Sequence, residues 1–175
     1  MIIKSNYIFL SSINDLYTYL LTGQINNNIY KYYDKIIIKH FVYDTNNRES
    51  LRIWKSNSVL DLWYDDITAN GYNNFILGID YTITPDKLNI DYLSVNDIDM
   101  HKTFHNEKYF TEPDAKYLIK CIIQHMANKS KNKKLFIDVH ENLGEYNKYY
   151  KDEGFILTEH HSQFSPHWIE CVKDL

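Results

Sequence analysis

The stretch LFIDVHENLGEYNKYYKDEGFILTE, residues 135–159, decides the fold. Leu135, Ile137 and Val139 alternate with Phe136, Asp138 and His140, which is the two-residue period of a strand. Leu143, Tyr146 and Tyr150 then recur at helical spacing, and the spacing predicts a short helix over 142–152. Tyr149 sits roughly 100° around such a helix, off that stripe. Gly154 stops the helix, because a residue without a Cβ enters the left-handed region cheaply, and Phe155 opens a further strand, FILTE (155–159).

Upstream of this stretch the signals remain clear as far back as residue 58. Thr111-Glu112-Pro113-Asp114 is a helix start: a capping hydroxyl, a proline in the first turn, and acids near the positive end of the helix dipole. Ala115, Leu118, Ile119, Ile122, Ile123 and Met126 form one apolar stripe, and the basic run NKSKNKK closes the helix. Before it, VLDLWYDDI (59–67), NFILGIDYTI (74–83) and LNIDYLSV (88–95) read as strands. They are separated by Asn70-Gly71 and by the turn Thr84-Pro85-Asp86-Lys87, which makes them an antiparallel meander. A polar loop covers 96–110, and HWIECVK (167–173) is a last strand. Near the start, residues 4–10 form a strand, Ser12-Ile13-Asn14-Asp15 caps a helix ending at Gly23, KIIIKHFVYD (35–44) is a strand, and RESLRIWK (48–55) fits helix or strand. This order implies a mixed sheet with helices, an α/β layer architecture in one domain over residues 1–175.

Composition narrows the function classes. A formal charge of −4 argues against a protein built to hold a nucleic-acid backbone. Cys121 and Cys171 are too few and too far apart for a disulfide framework or a zinc site, which points to a reducing, cytoplasmic setting. The first residues lack the pattern of a signal peptide, and no run nears the ~20 apolar residues of a membrane span. His160, His161 and His167 in EHHSQFSPHW lack metal-site spacing, so no metal is expected. Trp54, Trp63 and Trp168 read as core or rim aromatics.

The order of elements, together with LFIDVHENLGEYNKYYKDEGF, resembles the GCN5-related N-acetyltransferase (GNAT) family over residues 58–175. The matching positions are Asn142, Tyr150 and Gly154-Phe155, with one extra residue between the Asn and the Tyr. The hairpin FILGIDYTITPDKLNIDYLSV resembles the family's central hairpin, with Gly78 at a position where many members carry Gly. The resemblance implies a GNAT-like, mostly antiparallel central sheet flanked by helices, acetyl-CoA as acyl donor, and direct attack by a primary amine. The acceptor is expected to be a small molecule such as an amino sugar or a polyamine, with a homodimer left open. It further implies that backbone groups of Leu93, Ser94 and Val95 hold the acyl end. Thr111, Asp114, Ala115 and Lys116, with Asn142, would lie along the rest of the cofactor.

At 111–116 the sequence departs from the family. The pyrophosphate loop usually carries two glycines, whose missing side chains let backbone amides approach a diphosphate. TEPDAK has neither, Pro113 has no amide to donate, and Glu112 and Asp114 add negative charge. Lys116, Lys108, His101 and His105 can restore positive charge nearby.

For the chemistry, the resemblance makes Tyr150 the donor to the leaving thiolate, with Tyr149 taking that place if the extra residue shifts the register. Packing alone also accounts for Tyr150, since it shares a stripe with Leu143 and Tyr146. Strict alternation puts Asn89, Asp91, Leu93 and Val95 on one face, which makes Asp91 the candidate base; an exposed strand carboxylate is the plainer reading. Asp80, Asp97 and His101 stand in reserve. Two other functions stay open: a protein N-acetyltransferase acting on a lysine or N-terminus, and a catalytically inactive GNAT-like binding module.

Overall fold

The computed structural model describes residues 2–10, 13–24, 35–43, 47–56, 75–95, 112–162 and 165–175. Within them the strands are β1 (Ile2–Leu10), β2 (Lys35–Tyr43), β3 (Arg48–Ser56), β4 (Phe75–Ile83), β5 (Leu88–Val95), β6 (Lys134–His140), β7 (Ile156–Ser162) and β8 (Ser165–Asp174). Two α-helices are described, α1 (Ile13–Thr22) and α2 (Glu112–Lys129), along with a π-helical turn at Tyr146–Tyr150. The strands form one mixed sheet in the order β1-β2-β3-β4-β5-β6-β8-β7. All neighbours are antiparallel except β5 and β6, whose parallel pairing requires the crossover that α2 supplies.

The ambiguous RESLRIWK segment is a strand, and it is β3 that pairs with β4. The expected strand 59–67, the Asn70-Gly71 turn, Trp63 and the loop 96–110 lie outside the described residues. Elsewhere the turn chemistry holds. Thr84 and Lys87 exchange backbone hydrogen bonds of 2.8 and 3.4 Å across Pro85-Asp86, which closes the β4–β5 hairpin. Gly23, at φ 72°, ends α1 with its amide on the Tyr19 carbonyl.

One face of the sheet is apolar and carries both helices. Leu16 and Leu20 of α1 and the whole predicted stripe of α2, from Ala115 to Met126, are buried. They pack over Ile38, Ile53, Leu77, Ile79, Ile90, Ile137 and Val139. Each such side chain contributes about 1.5–3 kcal/mol when fully buried. Polar groups interrupt this face where the Tyr81 hydroxyl donates to Glu49 at 2.7 Å and His40 meets the same carboxylate at 2.6 Å.

The opposite face differs in kind. Ser50, Asp80, Asn89 and Asp138 are all buried there. Buried polar groups need partners, and those partners define the site.

Candidate functional site

The seam between β5 and β6 is short. Its pairs are Asn89↔Phe136 and Ile90↔Ile137, although β5 runs on to Val95 and β6 to His140. The cause lies on the other side of β5. Residues 88–90 pair with 83–81 of β4, residues 92–95 pair with 80–77, and Asp91 falls between the two registers as an extra residue. An extra residue bends its strand and increases the local twist. Here the ladder between β5 and β6 ends at Ile90↔Ile137, just before the extra residue, and Asp91–Val95 carry no ladder pairs with β6.

The same bulge overturns the strict alternation expected of β5. Leu88 and Ile90 face the helices, but so do Leu93 and Val95, because the phase slips by one residue at Asp91. Asn89 and Asp91 are therefore not on the face of Leu93 and Val95. Asp91 turns to the polar side instead, where it accepts from Thr82 Oγ1 and Asn89 Nδ2, both at 2.6 Å. Nor is it an exposed strand carboxylate. Burial raises its pKa, against the two hydrogen bonds and the Arg48 charge, which lower it.

Asn89 links two carboxylates. Besides Asp91 its Nδ2 approaches Asp138 Oδ2 at 3.4 Å, and the Ser162 hydroxyl donates to the same oxygen at 2.8 Å. Burial raises the Asp138 pKa as well, with Ser162 and Asn89 opposing it. Among the described residues the buried Asn89 Oδ1 has no hydrogen-bond partner. Asn89, Thr82, Asp138 and Ser162 were absent from the residues expected to matter. The signal was present in LFIDVH and LNID, where an Asp and an Asn interrupt otherwise apolar strands.

The expected helix over 142–152 takes a different form. Leu143, at φ 60°, leads into the turn, and Tyr146–Tyr150 winds as a π-helix, with the Lys151 amide on the Tyr146 carbonyl at 2.9 Å. A π-turn holds one more residue per hydrogen-bonded loop than an α-turn. The wider winding also corrects Tyr149: it does not fall off the packed face but is buried beside Tyr150, with ring centroids 6.3 Å apart. Gly154 adopts φ 88°, and a Cβ there would meet nothing, so its requirement is conformational.

Tyr150 is almost fully buried, edge-on to Phe155 at 6.1 Å. Burial, reinforced by the negative charge of Glu145, pushes its pKa far above that of an ordinary phenol, so it keeps its proton. Among the described residues its hydroxyl makes no hydrogen bond, whereas the Tyr146 hydroxyl is used by the Phe155 carbonyl at 3.1 Å. Cys171, across from Ile137, has its thiol pushed up to about 12 by burial, which removes it as a nucleophile.

The expected cofactor-end residues are scattered along α2 and its approach. Ala115 is buried, Lys116 exposed and Asp114 half-buried, while Thr111 lies outside the described residues. Asn142 is exposed, and its Oδ1 accepts the Gly144 amide at 3.0 Å, so its side chain shapes the loop that leads into the π-turn. His160, His161 and His167 are exposed, the last with Nδ1 3.0 Å from Glu141. Trp168 packs edge-on against His140 at 5.5 Å. Both cysteines are free and buried. Among the described residues no helix is long and apolar enough to cross a membrane.

No family model matches the chain, and no curated protein matches it. Solved structures do. The PaiA N-acetyltransferase from Thermoplasma acidophilum in complex with coenzyme A is 14% identical, over 74% of this chain and 62% of that one, at a TM-score of 0.43. The NatC complex bound to Gag peptide and CoA is 14% identical over 99% of each chain, at 0.42. A spermidine N-acetyltransferase SpeG chimera from Vibrio cholerae and hSSAT is 9% identical over 96% and 95%, at 0.45. Likenesses this distant concern fold alone, and the chemistry has to come from the residues of this chain.

Proposed function

We propose that the chain is an N-acetyltransferase that moves an acetyl group from acetyl-CoA to a small primary amine by direct attack. The observation that carries this reading is the early end of the β5–β6 ladder at the Asp91 bulge, together with a buried, proton-bearing Tyr150 within electrostatic reach of Tyr92 on β5. An acyl thioester is long and thin, and strand ends without ladder pairs between them suit it. Backbone groups at Leu93–Val95 supply a hydrogen-bond donor to the carbonyl oxygen as it gains charge. Asp91, its pKa raised by burial, takes the proton that the ammonium must lose before its nitrogen attacks. As the new C–N bond forms and the C–S bond breaks, the Tyr150 hydroxyl gives its proton to the departing sulfur. The net charge of −4 favours a cationic acceptor through long-range attraction.

Thr111, Asp114, Ala115 and Lys116 would lie nearest the diphosphate, with Lys116 as the cation. Pro113 and the acids beside it favour a second reading, a GNAT-like module that carries the fold without turnover. Calorimetry with acetyl-CoA, followed by release of free thiol on adding a panel of primary amines, separates the two. Binding with amine-dependent thiol release supports the enzyme. Binding without thiol release, or no binding at all, overturns the enzyme and favours the module. In the enzyme, Tyr150→Phe lowers kcat by about 100-fold with KM for the amine little changed.

A further inference from the structure

Asp91 is the residue of β5 that β4 leaves unmatched, and its neighbours follow from that. Thr82 and Asn89 face each other across the two strands, and both donate to it. Thr82 Oγ1 gives its proton to Oδ2 and Asn89 Nδ2 to Oδ1, each at 2.6 Å, so each carboxylate oxygen takes one short bond from a neutral group. Asn89 is buried, and its Nδ2 also approaches Asp138 at 3.4 Å. That fixes which end of the amide is which, because turning it over would set its oxygen against two carboxylates. Among the described residues, the charged groups around Asp91 are Arg48 of β3, Asp80 of β4 and Asp138 of β6. Arg48 is engaged by Asp80 at 2.9 Å, and the two acids oppose a charge on Asp91.

A base has to be ionised to act and still be able to take a proton. A carboxylate locked to a cation, as Asp80 is to Arg52, is ionised but a weak base, and its cation bars an incoming ammonium. A part-buried acid with no donors at all stays protonated to higher pH. Two neutral donors lie between these extremes, since they favour the charge without cancelling it. A carboxylate offers about four lone-pair directions, so about two remain for a substrate. We propose that Thr82 and Asn89 are positioning residues for the proposed acyl transfer: their hydrogen bonds hold the Asp91 carboxylate in one orientation and keep it ready to accept the proton of the incoming amine. This rests on Asp91 as the base of that reaction, and both residues act through Asp91 rather than on the reacting atoms.

The test follows the Asp91 carboxyl carbon by NMR against pH in the full chain. Thr82→Val removes the hydroxyl at nearly constant shape, and Thr82→Ser keeps it. The expected result is a midpoint raised by about one unit or more in the Val variant, as the loss of one hydrogen bond to a charged acceptor requires. The Ser variant returns it to near the wild-type value. With acetyl-CoA and a primary amine, the acid limb of kcat/KM moves to higher pH by the same amount in the Val variant, because the base is then protonated over a wider range. In wild-type protein the Thr82 side-chain and Asn89 side-chain amide signals both step at the Asp91 midpoint, which keeps the test independent of whether the variants fold. An unmoved midpoint in the Val variant, or the absence of those steps, overturns the proposal and leaves Asp91 as the base. A raised midpoint with an unmoved acid limb overturns Asp91 as the base, and the proposal with it. Absence of turnover overturns the acyl-transfer reading itself, while the midpoints still report the two hydrogen bonds.

Discussion

Two regions of the polar face hold a buried carboxylate each, and they solve the same problem in opposite ways. In the β3–β4 region Asp80 is clamped by charge: Arg52 Nη2 lies 2.8 Å from Oδ1, Arg48 Nη2 2.9 Å from Oδ2, and the Ser50 hydroxyl 2.6 Å from Oδ1. Burial would raise its pKa, but Arg52, Ser50 and Arg48 together bring it below that of an ordinary aspartate. In the β5–β6 region Asp138 is equally buried; among the described residues its hydrogen bonds come from Ser162 and Asn89, the Lys87 charge adds a smaller opposing effect, and burial wins, so its pKa rises. The first region is a finished ion pair that ties strands together. In the second, burial outweighs the hydrogen bonds, and it lies where the β5–β6 ladder ends.

The largest effect should come from breaking the clamp. Arg52→Ala removes the more buried of the two charges on Asp80 and also the donors to the Leu51 and Ile79 carbonyls, each at 3.1 Å. Removing one member of a buried pair typically costs about 3–5 kcal/mol. Arg48 is nearly half exposed, so Arg48→Ala should cost about 1 kcal/mol or less. Urea denaturation of the two variants measures the difference. Equal losses would mean that Asp80 is not held chiefly by Arg52.

An intermediate effect, with a definite pH dependence, is expected at Asp80 itself. A carboxyl whose native pKa is depressed binds fewer protons folded than unfolded, so its contribution is present above the ordinary aspartate value and is lost as pH falls through the native value. Asp80→Asn should therefore destabilise by about 1–3 kcal/mol near neutrality. The gap from wild type should close in acid, below the depressed value. Thermal melts between neutral and strongly acidic pH check this, and a gap that stays constant with pH would show that the loss is one of packing.

How much of this was legible beforehand depends on what each feature is made from. The α2 stripe from Ala115 to Met126 and the Gly154 stop are local patterns, and both could be read because helical spacing and a positive φ leave marks on consecutive residues. The β5–β6 seam could not be read in the same way. The bulge at Asp91 exists because β4 offers one residue fewer than β5, and a mismatch between strands leaves no trace in either strand alone. Strict alternation therefore misplaced Leu93 and Val95 relative to Asn89. At Tyr146–Tyr150 helical spacing put Tyr149 off the packed face, and it did not show the π-winding that goes with its burial. Asp138 was visible as an acid in an apolar strand; that it meets Asn89 and Ser162 is a tertiary fact.

The smallest effect, and the one opposite in sign, belongs to Asp138. A carboxyl whose native pKa is raised binds more protons folded than unfolded across the window between the ordinary aspartate value and the native one. Wild-type stability therefore falls as pH climbs through that window. Asp138→Asn removes the ionisation and keeps an oxygen to accept from Ser162. At neutral pH the variant should match wild type or exceed it by up to about 1 kcal/mol. That advantage should vanish below the ordinary aspartate range, where both states of the wild type are protonated. Set beside Asp80→Asn in the same pH series, the two curves should depart from wild type in opposite directions and converge with it in acid. A loss for Asp138→Asn as large as that for Asp80→Asn at neutral pH would mean that Asp138 has a counter-charge as strong as that on Asp80. The two halves of the polar face would then be alike.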